Sequence, residues 1–238
     1  MNFMVRPSKS FLFDYLESRL KKIKGKVGLD AGSANFKNRR MFKTKKYFGL
    51  DINLDSLKNG IKKYNDYPNT YGIHADLSDL AQLPSNSVDI VVSTNTLYAL
   101  PEEQKIRAVK HLCRLTAPTG QLICEFTISR DLNKIKNMLN ESFKEVKIIY
   151  YKNIFSQAYE WIFERHGYLG SHPIAGLRPF RLLAWLISRL EFITSIFPAI
   201  NQQVIFVCNG KKGSQYKKDF NLSHLFKVKD KLFNAYKI

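Results

Sequence analysis

The chain has 238 residues, 45% of them hydrophobic and 24% charged, the proportions of an ordinary globular protein long enough to bury a full core in one α/β domain with additions. Its 38 Lys and Arg outnumber 20 Asp and Glu, for a formal charge of +18. That balance attracts polyanions such as nucleic acid, anionic lipid or phosphorylated substrates, but does not choose among them. The three cysteines, Cys113, Cys124 and Cys208, are odd in number, widely spaced and set in apolar runs. They argue against a disulfide framework or a zinc site and read as free thiols of a reducing cytosol.

Residues 1–25 read as a basic amphipathic helix, with no uninterrupted apolar run and cleavage site of the kind a signal peptide has. From Lys26 short apolar runs alternate with helical segments. Lys26–Ala31 predicts a buried strand, followed by a polar turn and a short basic helix. Lys46–Ile52 predicts a second strand and Leu54–Tyr64 a helix; Thr70–Ala75 and Val88–Thr94 predict the third and fourth strands. Pro101–Thr116 is a helix with Pro101 in its first turn and two glutamates favourably near its amino end. Gln121–Thr127 is a fifth strand, Leu132–Phe143 a helix and Val146–Tyr151 a sixth strand. Such alternation implies a mostly parallel, doubly wound sheet with helices on both faces. Residues 153–200 interrupt it with an aromatic-rich helical insertion before a last strand, Gln203–Cys208. From Lys211 a basic tail runs to residue 238, with eight Lys against two Asp and little core-forming pattern.

In a doubly wound sheet, ligands sit outside the carboxyl ends of the strands. The first strand ends in Asp30-Ala31-Gly32-Ser33-Ala34-Asn35, the second in Asp51-Ile52, the third in Asp76-Leu77 and the fourth in Asn95. One Asp after a strand is commonly a helix cap; three carboxylates and an amide at successive strand ends call for a ligand. Asp51 lies 21 residues beyond Asp30, the distance at which a carboxylate takes ribose hydroxyls. The G-x-G-x-x-G cradle of a dinucleotide is missing, which argues against NAD and NADP.

These segments resemble the class I S-adenosylmethionine-dependent methyltransferases, in particular the small-molecule and glycan branch. VGLDAGSAN is similar to the motif around the methionine part of the cofactor, and LDIN to the ribose motif. ADLSDLAQLPSNSVDIVVSTNTLYAL is similar to the adenine motif and fourth strand, and APTGQLICEF to the proline-glycine turn and fifth strand. Gln203–Cys208 resembles the family's final antiparallel strand. The resemblance implies a Rossmann-like α/β fold and S-adenosylmethionine as cofactor. Asp30 would orient the first turn or the amino group, Gly32 and Ala34 would admit the methionine, and Asp51 with Ile52 would take the ribose. Asp76 and Leu77 would take the adenine, and Asn95 the methionine end. Phe36 stands where the family has its third glycine and is expected to crowd the turn, so that Phe36→Gly would keep or improve affinity.

The acceptor is expected on the insertion. His166, Tyr168 and His172, with Tyr98 after the fourth strand, are its candidate contacts; no general base is assigned, and no metal is expected. Between Pro179 and Pro198, Arg181, Ser188, Arg189, Glu191 and Ser195 share one helical face, with Leu182, Leu183, Leu186, Ile187, Leu190, Ile193 and Phe197 around the rest. Phe180–Phe197 is therefore expected to form a helix whose apolar face closes over the cofactor edge or meets an amphiphilic acceptor. Three charges make it a poor membrane crossing. A core helix, a dimer face and a helix lying on an anionic membrane surface, helped by the basic termini, all remain open. The expected reaction is methyl transfer to a small-molecule, glycan or lipid-linked acceptor, in the cytoplasm or at the inner face of a membrane. The alternatives are a nucleic-acid methyltransferase, which no recognition motif supports, and a degenerate binding protein without activity.

Overall fold

A computed structural model describes residues 5–23, 25–164, 176–213, 216–222, 226–228 and 235–237. The chain divides into two compact units, one of Met1–Arg19 with Ile148–Ile205 and the other of Leu20–Lys147 with Phe206–Ile238.

The larger unit is built on β1 (Val27–Ala31), β2 (Lys46–Asp51), β3 (Thr70–His74), β4 (Val88–Ser93) and β5 (Thr116–Thr127). The order along the sheet is β6-β7-β5-β4-β1-β2-β3-β9-β8, where β6 is Phe143–Asn153, β7 Asn201–Lys211, β8 Phe226–Val228 and β9 Ala235–Lys237. Pairs β1–β2, β1–β4, β2–β3 and β4–β5 are parallel. Asn209, near the end of β7, meets Gln121 of β5 at 2.6 Å and Glu145, near the start of β6, at 3.0 Å. Lys212 donates its N–H to Ser142 at 2.9 Å, so β7 runs against both neighbours. Every residue of β1 is buried, as a parallel strand covered on both faces requires.

The helices form for local reasons. In α2 (Leu54–Lys63) the Asn53 side chain caps the amino end by accepting from the Ser56 N–H, Asp55 lies in the first turn and Lys62 and Lys63 in the last, each matched to the helix dipole. Leu57, Gly60 and Ile61 are its buried face. In α3 (Glu102–Leu115) Pro101 is the cap and Glu102 and Glu103 fill the first turn; α4 (Leu132–Ser142) buries Ile135 and Leu139. Between β4 and β5 the register jumps from Val88↔Thr116 to Ile90↔Gln121. The proline-glycine segment is thus a bulge rather than a free turn, and a Cβ on Gly120 would lie 2.9 Å from the backbone oxygens of Val88 and Asp89.

The tail departs from expectation. Lys218 donates its N–H to Asn86 at 2.9 Å, Lys217 pairs with Asp89, Phe220 packs its ring at a tilt against Phe48 at 4.7 Å and Leu222 is buried. The chain then adds β9 parallel to β3 and β8 antiparallel to β9. Strands of three residues are too short to leave a period-2 pattern, and they are held through the backbone of the β3 edge.

The smaller unit contains most of α1 (Pro7–Leu20), with α5 (Ile154–Glu164) and α6 (Arg178–Thr194). Phe11 of α1 stacks on Tyr151 at 5.6 Å and meets Phe192 edge-on at 4.7 Å. Asn153 caps α5, accepting from Phe155 and Ser156 N–H at 3.1 and 3.0 Å. The orientation of α6 opposes a simple amphipathic reading. Its buried residues are Ala184, Ser188 and Glu191, while Leu182, Leu183, Leu186, Leu190, Phe192 and Ile193 are exposed.

Candidate functional site

The four strand ends lie side by side at the carboxyl edge of β1–β4, in the larger unit. After β1 the chain turns over β2, with the N–H groups of Gly32 and Ser33 both donating to the Leu50 carbonyl, at 2.8 and 2.9 Å. Asp51 holds this arrangement. Its Oδ2 accepts from the Ala34 N–H at 2.7 Å and its Oδ1 from the Asn53 N–H at 2.9 Å. A carboxylate has about four acceptor positions, so each oxygen keeps one, and the pair matches two adjacent hydroxyls. Beside it Ile52 is 66% exposed, a single apolar side chain left at the edge. The Asp51 carbonyl accepts from Ala75 at 3.1 Å and brings in the end of β3. There Asp76 Oδ1 accepts from Ser78 N–H at 2.8 Å, leaving Oδ2 for a donor such as an exocyclic amine, and the Leu77 side chain is buried.

At the end of β4, Asn95 adopts φ 56°, and its N–H donates to Glu125 Oε2 of β5 at 2.7 Å. Among the described residues the Asn95 Oδ1 is buried with no hydrogen-bond partner; Ser33 Oγ likewise has none but lies on the Phe36 side, where a Cβ on Gly49 would meet it at 2.8 Å. An orphaned polar atom costs about 1–3 kcal/mol when left unmatched, so Asn95 Oδ1 gives the site donor-seeking capacity at the end of β4. Lys37 reaches the same end and donates from Nζ to the Thr94 carbonyl at 2.9 Å.

Two further sequence candidates, Asp30 and Gly32, serve the first turn itself. Asp30 is fully buried; its Oδ1 accepts from Asn38 at 3.0 Å and its Oδ2 from the Tyr47 hydroxyl at 2.9 Å. Burial pushes its carboxyl above the ordinary range, opposed chiefly by the charge of Lys37; burial and the neighbouring Asp30 likewise push up the Tyr47 phenol. Asp30 therefore holds the first turn from below, and full burial keeps its carboxylate away from the open edge. Gly32 has φ +77°, and a Cβ there would strike the Thr96 side chain at 2.1–2.6 Å. The approach that demands glycine is thus to Thr96.

The expectation for Phe36 is overturned. Its ring is fully buried, pointing down between β2 and α2. A Cβ on Gly49 would lie 2.2 Å from the ring and one on Gly60 2.8 Å, and Tyr47 meets it edge-on at 5.4 Å. Ala34 and Phe36 both take positive φ, 48° and 59°, which aims the Phe36 side chain into the core and not at the site. Tyr98 lies in a 3-10 turn, 47% exposed. His166, Tyr168 and His172 lie outside the described residues. Sequence reasoning missed Lys37, Thr96 and Glu125; of these Glu125 left a signal, a charge inside the apolar run LICEF, and it is fully buried.

Residues 27–124, the strands and turns just described, match the family model for a methyltransferase domain. The match takes in about two fifths of the chain. Over 112 residues the chain is 28% identical to a demethylmenaquinone methyltransferase of Lysinibacillus sphaericus, a match that takes in 47% of this chain and 46% of that protein. The chain thus spans about half the length of this curated relative. Among solved structures, the N-methyltransferase NodS of Bradyrhizobium japonicum, in complex with S-adenosylhomocysteine, superposes with a TM-score of 0.57 at 13% identity, over 86% of this chain and 88% of that one. The [4+2]-cyclase SpnF superposes with a TM-score of 0.55 at 14% identity, over 85% and 81%. The chain shares its fold with both, and one of the two is named for another reaction. The fold alone leaves the chemistry to the site.

Proposed function

We propose that this chain transfers a methyl group from S-adenosylmethionine to an amphiphilic, lipid-linked acceptor met at a membrane surface. The observation that carries the cofactor assignment is the row Asp51, Asp76 and Asn95 at consecutive strand ends, each with acceptor capacity in reserve. Asp51 would take the ribose hydroxyls with Ile52 packing beside them. Asp76 would accept from the adenine amino group, with the Leu77 N–H as donor. The orphaned Asn95 Oδ1 would accept from the ammonium of the methionine end. Ala34 contributes the N–H that fixes Asp51. When bound, the cofactor supplies a methyl group on a sulfonium, already activated for displacement. The chain's part is then to hold donor and acceptor in line and to exclude water, worth up to about 7–11 kcal/mol of barrier when alignment is complete. Glu125 sets the backbone of Asn95 and so positions the methionine end.

The lipid-linked acceptor is favoured by the apolar side chains that α5 and α6 leave exposed, and by the name of the 28% identical relative, which specifies a quinone acceptor. The test is calorimetry with S-adenosylhomocysteine, for which a micromolar Kd, about −8 kcal/mol, is expected. Asp51→Ala should weaken it ten- to a hundredfold, about 1.5–3 kcal/mol for bonds to a charged group. Labelled cofactor should then place its methyl in the organic phase of a cell extract. No heat at millimolar ligand would leave a degenerate domain, and label in RNA would identify a nucleic-acid enzyme.

A further inference from the structure

The helix α6 has its polarity reversed relative to its surroundings. Taking 100° per residue, Ala184, Ser188 and Glu191 cluster on one side, and these are its buried residues. On the opposite side lie Leu182, Leu186 and Ile193, exposed by 48%, 50% and 69%, flanked by Leu190. The reversal is built in rather than accidental. Glu191 is fully buried and accepts from the Asn153 N–H at 3.1 Å and from the Ser156 hydroxyl; Ser188 bonds to its own helix. Turning the leucines inward would expel these groups from their partners.

The exposed apolar surface is concentrated here. Of the eighteen large exposed hydrophobic side chains among the described residues, thirteen belong to the smaller unit, although that unit holds fewer than half of the residues. Single exposed apolar residues need no account, but a contiguous stripe does. No helix among the described residues is long and apolar enough to cross a membrane. A helix of 17 residues, about 26 Å long, can instead lie flat in a lipid interface with its apolar side down.

Charge selects the occupant. The only acid of α6 is the buried Glu191, and its first turn carries Arg178 and Arg181, both exposed, with no acidic residue and no side-chain cap. Two cations at an uncapped amino end oppose the helix dipole, a cost that lipid phosphates at that end would reverse. A second copy of the chain would bring +18 against +18. We propose that α6 docks this protein on an anionic bilayer, with Leu182, Leu186 and Ile193 among the acyl chains and Arg178 and Arg181 at the phosphates. The proposal deepens the lipid-linked acceptor reading and rests on it for its purpose, while docking is measured without any methyl transfer.

The test is flotation of the full chain with phosphatidylcholine vesicles, with and without phosphatidylglycerol. The protein should float with the anionic vesicles and lose about tenfold or more of that affinity in Leu186→Asp with Ile193→Asp, since both side chains leave apolar surroundings. Arg178→Gln with Arg181→Gln should cost about tenfold on the anionic vesicles and little on the neutral ones. Circular dichroism and S-adenosylhomocysteine titration of the same variants separate loss of docking from loss of fold or of the cofactor site. Unchanged flotation of the Asp variants would overturn the proposal. So would a dimer in sedimentation equilibrium that those variants dissolve while the parent ignores vesicles. Vesicle binding without any cofactor binding would retain the docking and reject the enzyme.

Discussion

Phe36 illustrates how a single residue is misjudged when its partners are distant in sequence. At φ 59° a bulky residue carries about 1–3 kcal/mol of backbone strain, and replacing it with glycine removes that strain. The same replacement empties a slot roofed by Gly49 of β2 and Gly60 of α2, with Gly72 of β3 near the ring tip, where a Cβ would lie 3.7 Å from it. Emptying a buried phenylalanine site costs about 3–5 kcal/mol, so the cavity outweighs the strain. Phe36→Gly should therefore lower stability by about 2 kcal/mol or more in urea titrations, with cofactor affinity falling only as the turn loosens; equal stability would sink this account. Three glycines on three elements form one socket, but nothing in the linear sequence shows that they meet. By contrast the strand-end placement of Asp51, Asp76 and Asn95 was legible because each follows an apolar run, and a strand end needs no tertiary information. Asp30 was expected to orient the first turn or the amino group; its partners Tyr47 and Asn38 were hidden because they reach it from other elements.

The boundaries of most elements could be read from their patterns, since apolar periodicity and caps are local. The direction of α6 could not. An amphipathic wheel states that a helix has two sides and leaves open which side faces inward; here the Asn153 N–H and the Ser156 hydroxyl settled it by binding Glu191. That burial has a measurable consequence. Desolvation raises the Glu191 carboxyl from 4.5 to about 7, with the nearby Glu160 charge adding to the rise and the bonds from Ser156 and Asn153 opposing it. The groups around it are Glu160, which pairs with Lys152 at 3.1 Å and accepts from Ser8, and on the outer side the Asp14–Arg189 pair. Because the folded state holds this proton more tightly than the unfolded chain, its contribution is fully present below pH 4.5. It is lost as pH rises through about 7. At about 1.36 kcal/mol per unit the loss amounts to about 3 kcal/mol. Glu191→Gln keeps an acceptor oxygen and removes the charge, so its melting temperature should stay flat from pH 5 to 7.5 where the parent's declines. Parallel declines in both proteins would assign the pH dependence to other groups.

At the scale of the whole molecule, the sheet order follows from the alternation of strands and helices, because parallel neighbours require crossovers and only a hairpin-like return inserts β7 between β5 and β6. The tail does not follow, since its lysines read as solvated charge. Yet Lys217 pairs with Asp89, whose other oxygen accepts from the N–H groups of Lys26 and Val27 at 2.7 and 2.9 Å, and β9 continues the sheet beyond β3 through Gly72↔Ala235 to His74↔Lys237. An uncovered edge strand offers unpaired N–H and C=O groups to any other chain. Ending the chain after Gly213 should therefore have two effects. Losing the Phe220–Phe48 ring contact and buried Leu222 should cost about 2–4 kcal/mol of thermal or urea stability. Baring the β3 edge should cause self-association, visible as rising light scattering. Association should grow with salt, because the remaining positive charge keeps copies apart only while the Debye length is about 10 Å or more. Ending the chain after Leu222 instead keeps the packing and removes only β8 and β9, so it should show the association with little of the stability loss. A variant of that length that stays monomeric at high salt would mean that β9 does not guard the edge.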